Sequence, residues 1–160
     1  MLAGVTWPLV NNVIRKNKLS NTFGMVRKYA DGTPKPHQGW DFAAEVGTTV
    51  YAIADGKVVF VTNSGDYGLQ VCISFTVENQ VRYAFYAHLQ QSIVTVGQQV
   101  KLNDPIGTTG KSGNASNLPA DEDHLHFEIR TQANCGLGLA GRVSPMTIFQ
   151  FCPLNSAVAG

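Results

Sequence analysis

The residues of this chain best suited to chemistry are its four histidines, His37, His88, His124 and His126. Two of them stand one residue apart in Asp123-His124-Leu125-His126-Phe127-Glu128-Ile129-Arg130. The apolar alternation through this stretch predicts a half-buried strand, in which residues i and i+2 share a face. His124 and His126 then project side by side, with Leu125, Phe127 and Ile129 opposite. Two imidazoles on one face can divide a task, one binding a metal and the other handling a proton. Taken alone, the pair fits equally well two polar residues on a wetted strand face, so the other histidines must decide. His37 opens His37-Gln38-Gly39-Trp40-Asp41, an imidazole and a carboxylate at H-x-x-x-D spacing, and His88 ends the run Tyr86-Ala87-His88. Zinc commonly takes imidazole nitrogen and carboxylate oxygen, with a fourth position left open in catalytic sites. His37, Asp41 and one histidine of the 124/126 pair would supply three ligands. Two histidines remain for proton transfer, and none is left over.

The elements that must position these residues read as β-structure. Strands are expected at Val50–Ala54, Lys57–Val61, Leu69–Phe75, Val81–His88, Ile93–Val96, Gln99–Lys101 and Pro105–Thr108. The Asp55-Gly56 pair is expected to turn the first of these into a hairpin with the second. Glu78-Asn79-Gln80 turns the chain between the third and fourth. Many short strands at even spacing with glycine turns point to a sandwich or barrel. Ser20–Arg27 reads as a turn into a short strand, and Val10–Arg15 as either a helical turn or a strand. Asp31-Gly32-Thr33-Pro34-Lys35-Pro36 is rich in breakers and reads as a surface loop delivering His37. Residues 110–123 form a long polar loop running into the histidine pair, of the length that lids and groove walls have. Its Asp121, Glu122 and Asp123 read as a solvated acidic cluster, or as a device selecting a positively charged substrate group. The apolar tail around Ile148–Phe151 is expected to pack back on the sheet.

The chain's 160 residues suffice for one domain with one core, and no second domain is visible. Hydrophobic residues make up 44% and charged residues 14%, with 12 Lys and Arg against 11 Asp and Glu for a net charge of +1. Such a balance gives no electrostatic reason to expect nucleic acid or a membrane surface as partner, and no run is long enough to span a bilayer. The first ten residues lack the basic leader and apolar stretch of an ordinary signal peptide. Cys72 lies in an apolar strand and reads as a buried small hydrophobe. Cys135 and Cys152 are equally consistent with a disulfide and with two free thiols.

Taken in order, these pieces resemble a known family. H-x-x-x-D, Ala54-Asp55-Gly56-Lys57-Val58-Val59, Tyr86-Ala87-His88-Leu89, Val94-Thr95-Val96-Gly97-Gln98-Gln99-Val100, Ile106-Gly107-Thr108-Thr109-Gly110 and His124-Leu125-His126-Phe127-Glu128 are similar to the lysostaphin-type, LytM-like zinc endopeptidases. Each piece is weak alone; their order and completeness from about Phe23 to Arg130 make the resemblance specific. It implies a mostly β fold, an antiparallel sheet forming a groove with few short helices, in one domain over 1–160 whose tail, 131–160, lies outside the shared pattern. It implies cleavage of the peptide cross-links of bacterial peptidoglycan, D,D-type bonds among them. It places zinc on His37, Asp41 and His126 and gives catalytic roles to His88 and His124. With a neutral imidazole as base, activity is expected to fall as pH drops through about 6.5.

Two other classes compete. Some LytM-like domains are inactive adaptors that activate other wall hydrolases, but those lack part of the ligand set that is complete here. Val96–Lys101 and Pro105–Gly107 echo lipoyl and biotinyl carrier half-barrels, a reading that leaves the histidines unexplained. The biological setting implied by the resemblance is the periplasm or cell wall. The protein would reach it as an excised domain of an exported protein, as a phage lysis protein, or as a secreted antibacterial effector of type VI kind with a cognate immunity protein. A Cys135–Cys152 bridge would fit such a destination.

Overall fold

The computed structural model describes residues 1–160. The strands, in chain order, are β1 (Asn11–Asn12), β2 (Gly24–Lys28), β3 (Pro34–His37), β4 (Trp40–Ala43), β5 (Thr49–Tyr51), β6 (Gly56–Ser64), β7 (Gly68–Val77), β8 (Gln80–Ser92), β9 (Gln99–Val100), β10 (Pro105–Thr109), β11 (His124–Arg130), β12 (Arg142–Val143) and β13 (Val158–Ala159). The one α-helical turn, α1, covers Met146–Phe149. The central sheet runs β12-β11-β8-β7-β6-β9, with β4 also on β11 and β10 joining β8 to β5; every pairing is antiparallel. The fold is therefore mostly β with few short helices, as the family resemblance implies.

One cluster of 26 buried residues forms the main core, gathered from Val5 to Phe149. Trp40 and Phe42 of β4 and Leu125, Phe127 and Ile129 of β11 all point into it. The tail closes it: Phe149 stacks on Trp7 with ring centroids 4.2 Å apart. β7 and β8 meet in a two-residue turn, Glu78-Asn79, with φ of 49° and 61°. Positive φ at both central residues matches the right-handed twist of the flanking strands.

The strand predicted as half-buried is buried along its whole length. Its apolar face meets the core. Its histidine face lies under the loops of the site, so these imidazoles do not stand on a wetted surface. Three other expectations need correction, and one left open is decided. First, Asp55-Gly56 does not join a β5–β6 hairpin: β5 pairs with β10, and β6 pairs with β7 and β9. Gly56 is used for close packing, since a Cβ there would overlap the Ser74 carbonyl oxygen. Second, Ile93–Val96 is not a strand; the chain bends there into the Gly97 turn. Third, Pro34–His37 is not loop but strand β3, paired with β2, and His37 is buried at its end. Prolines at 34 and 36 are compatible with a strand because this is a two-stranded ribbon with free edges. Val10–Arg15, open between a helical turn and a strand, holds the short strand β1, and a 3₁₀ turn begins at its last residue, over Arg15–Asn17.

All three cysteines are free thiols. Cys135 Sγ lies against the Gln132 and Gly141 carbonyls, while Cys152 packs against the main core. Cys72 is the buried small hydrophobe expected, its thiol pushed up to about 12 by burial.

Candidate metal centre

Three elements converge to build the site. β4 and β11 pair so that Asp41 stands directly opposite His126. On its other side His126 faces Ala87 of β8, which brings the neighbouring His88 alongside. The β3–β4 bend carries His37 to Asp41 across Gly39. No other residue fits there, because a Cβ at Gly39 would run into the backbone oxygen of Phe127.

His88 reaches the cleft by a backbone irregularity. Between Leu69↔Leu89 and Val71↔Tyr86 the register of β7 and β8 slips, leaving two β8 residues opposite one. His88 sits in this bulge with φ of 58°, a left-handed conformation uncommon for residues other than glycine. Such bulges re-aim a side chain, and strain of this kind recurs at functional sites.

Asp41, His37 and His126 offer one ligand atom each, all within 4.8 Å of one another. Asp41 Oδ1 lies 2.8 Å from His126 Nδ1, 3.2 Å from His37 Nε2 and 3.8 Å from His124 Nε2. Its other oxygen, Oδ2, accepts hydrogen bonds from Arg15 Nη2 and Arg27 Nη2, each at 3.0 Å. The carboxylate is thus locked with one oxygen turned to the imidazoles. Burial opposes its ionisation, but the surrounding imidazoles hold it well below the usual carboxylate range.

Backbone carbonyls fix three of the four imidazole tautomers. A carbonyl can only accept, so a ring nitrogen bonded to it carries the proton. His37 Nδ1 donates to Thr22 O at 2.8 Å, His88 Nδ1 to Ser112 O at 2.8 Å and His124 Nδ1 to Glu122 O at 2.9 Å. Each leaves a lone pair on Nε2. Burial pushes all three below the ordinary histidine value, His88 to about 4 with help from the charges of His126 and His124. At neutral pH they are neutral bases.

His126 differs. Its Nε2–H donates to Glu128 Oε1 at 2.9 Å and its Nδ1 faces Asp41. Burial pushes this ring down, but the two carboxylates more than offset it and hold it at about 9. Glu128 is itself fully buried and is gripped by Arg130 Nε at 2.6 Å and Arg142 Nε at 2.7 Å on Oε2. Tyr67 donates to Glu128 Oε1 at 2.6 Å, accepts from Gln38 Nε2 at 2.6 Å, and stacks on His126. The donor set fits a divalent ion of borderline softness: two imidazoles and a carboxylate converge, and each is oriented by its own outer partner.

The five residues singled out from sequence, His37, Asp41, His88, His124 and His126, line one cleft of about 380 Å³. His88 and His124 face each other with ring centroids 5.1 Å apart. The supporting residues Arg15, Arg27, Tyr67 and Glu128 were missed. Glu128 was findable, since it shares the histidine face of the same strand at i+2 of His126; the others come from distant segments with no local signal. The acidic cluster does not present free charge to the cleft. Asp121 is bridged to Lys16, Glu122 to Arg15 at 3.4 Å and Asp123 to Lys111 at 3.4 Å. The tail reaches the site as well, since Leu137 lines the cleft and Gln38 Oε1 accepts from Gly138 N at 2.9 Å.

Comparison with known proteins gives the chain a family. The chain is 34% identical over 113 residues to the peptidoglycan DD-endopeptidase ShyB of Vibrio cholerae, covering 70% of this chain and 25% of that protein. It spans about a quarter of the length of the curated relatives it matches. Among solved structures, a zinc containing peptidase from Vibrio cholerae is similar at 31% identity and TM-score 0.60, over 78% of this chain and 37% of that one. The catalytic domain of lysostaphin from Staphylococcus simulans is similar at 27% identity and TM-score 0.64, over 81% of this chain and 90% of that one. The model of peptidase family M23 matches residues 35–135, well over half of the sequence and all five cleft residues, and the chain belongs to that family.

Proposed function

We propose that the protein is a zinc endopeptidase that hydrolyses peptide cross-links of bacterial peptidoglycan, with His37, Asp41 and His126 holding the ion and His88 and His124 moving protons. The observation that carries this reading is the convergence of all four histidines and Asp41 on one cleft. Zinc, when bound, supplies a Lewis acid that polarises a carbonyl and acidifies water.

The protein's own residues do the rest. His37 presents Nε2 and His126 presents Nδ1 because Thr22 and Glu128 hold their other nitrogens. Arg15 and Arg27 keep Asp41 from swinging away. Of His88 and His124, one accepts a proton from the attacking water at Nε2 while the other, also through its Nε2 lone pair, accepts a hydrogen bond from that water and orients it; the imidazolium so formed then gives its proton to the leaving amine, which completes peptide hydrolysis. Both start neutral, as that division requires. Arg15 Nη1, 3.3 Å from His124 Nδ1, adds a positive charge that disfavours the imidazolium.

We read the bond as D,D-type, in keeping with the description of ShyB. The site of action would be the periplasm or cell wall, where the substrate lies. An antibacterial effector would need an immunity protein covering this cleft; the free thiols withdraw the disulfide argument for such delivery. A non-catalytic adaptor would have no use for the complete donor set and its two neutral bases.

The test is digestion of purified cross-linked sacculi, followed by mass spectrometry of the muropeptides. Conversion of dimers to monomers, abolished by a chelator and restored by zinc, is expected, and the products identify the bond. Intact dimers with zinc-loaded protein would overturn the reading.

A further inference from the structure

We infer that the cleft continues, on the side of the β2–β3 ribbon, into a subsite for the carboxylates of an anionic peptide. The inference rests on the peptidase reading above and names the side of its substrate that this end of the cleft would hold.

Charge is unevenly placed along a chain whose net charge is close to zero. Residues 1–40 hold six of the 12 Lys and Arg but one of the 11 Asp and Glu. The fold gathers most of that excess in one place. Beside the metal cleft lies a second depression of about 430 Å³, lined by Arg15, Lys18, Val26, Arg27, Lys28 and Lys35 among others. Arg15, Arg27 and Lys35 line both, so the two depressions are adjacent.

The charges inside differ in how far they are spent. Arg15 and Arg27 are engaged with Asp41. Lys18, Lys28 and Lys35 are exposed and form no ion pair within the chain. Glu122, the acid on this wall, is taken by Arg15, and Asp31 caps its own turn through Thr33. Three ammonium groups outside any ion pair therefore rim a concave surface that adjoins the histidine cleft. A cleft lined by one sign of charge focuses its field and raises the local concentration of the opposite ion.

A peptide whose scissile bond lies at the histidines must run its flanking residues out of the cleft, and this exit is polar and cationic. It suits side-chain or terminal carboxylates. A neutral glycine chain would bring nothing to meet the lysines. The earlier alternative, an acidic cluster selecting a positive group, is reversed.

The experiment compares two substrates: the cross-linked stem-peptide dimer with free carboxylates, and the same dimer with its carboxylates converted to amides. An exposed ion pair contributes about two- to fivefold, so three give roughly a tenfold or greater preference in kcat/KM for the acid form at low salt. The preference should shrink as salt rises to ~0.5 M. Lys18→Gln/Lys28→Gln/Lys35→Gln should bring the acid form down to the rate of the amide. Lys57→Gln/Arg82→Gln/Lys101→Gln, which removes the same charge elsewhere, should keep the full preference. Equal rates on the two dimers, or an undiminished preference in the first triple variant, would overturn the subsite. If neither dimer is cut, the peptidase reading fails, and fluorescence anisotropy of the labelled acid dimer still judges the subsite. Tighter binding by wild type than by the first triple variant supports it, and equal binding overturns it.

Discussion

Glu128→Gln removes one charge from the interior while keeping the shape of the side chain. Glu128 is fully buried and serves four donors: His126, Tyr67, Arg130 and Arg142. Both arginine side chains are almost fully buried too. The amide leaves two guanidinium groups facing a neutral partner, and breaking a buried ion pair from one side costs about 3–5 kcal/mol. With an unfolding entropy of about 2.1 cal/mol/K per residue, a chain this long loses roughly 3 °C for each kcal/mol. The melting temperature of the zinc-free variant should fall by about 9–15 °C. Calorimetry on zinc-free protein keeps metal linkage out of that number. The amide also weakens the hold on His126 Nε2, and loss of such an outer partner lowers metal affinity by about 10–100-fold, read by competition with a chromophoric chelator. Adding Arg142→Met, which removes one stranded cation, should return part of the lost stability. The pH dependence has a definite sign. Burial opposes ionisation of Glu128, but His126 and the two arginines hold its carboxyl far below the ordinary 4.5. Its stabilisation is complete above that value and is lost only as pH falls toward strong acid. A melting temperature within about 2 °C of wild type, with unchanged zinc affinity, would refute this account of how His126 is held.

The remaining expectations concern the ligands, the bases and the bend between them. His37→Ala should abolish both zinc binding and activity. His124→Ala should keep stoichiometric zinc, measured by elemental analysis, while activity falls by about 10²–10⁴; loss of zinc there would mean that ligand and base roles are exchanged. Burial moves the acid limb of kcat/KM down from the expected 6.5 toward the His88 value of about 4, so activity should hold between pH 5.5 and 6.5 at ~constant zinc occupancy. The same depressed value makes His88 destabilising in acid: stability should rise with pH between about 4 and 6.5, and a zinc-free melting curve that falls across this window would contradict it. Gly39→Ala should disturb the β3–β4 bend against Phe127 and cost both melting temperature and zinc affinity, whereas the same change at exposed Gly136, which meets no neighbour, should leave both within error.

The legible part of this protein was its strand β11, because period-two alternation encodes a face, and the face carries both histidines, Glu128 and Arg130. His37 and Asp41 were legible through a four-residue spacing that one glycine-containing bend can span. The reason His88 joins them was not. Its left-handed bulge depends on register against β7 and β10, which no local run of residues records. Arg15 and Arg27 were hidden for a related reason: each meets Asp41 through tertiary packing, from segments whose own patterns are irregular. β3 was mistaken for loop because breaker residues were weighed without knowing that the ribbon has free edges. β5 was paired with the wrong neighbour because Asp55-Gly56 has the composition of a turn, whereas the structure needs Gly56 for its missing side chain.

The central claim is that His37, Asp41 and His126, and not the His88/His124 pair, hold the ion. An anomalous-difference map at the zinc edge, from crystals grown with one equivalent of zinc, tests it most directly. One peak within coordination reach of His37 Nε2, Asp41 Oδ1 and His126 Nδ1, with His88 and His124 standing off it, is the result this account requires. A peak bound between His88 and His124, or no peak in the cleft, would contradict it.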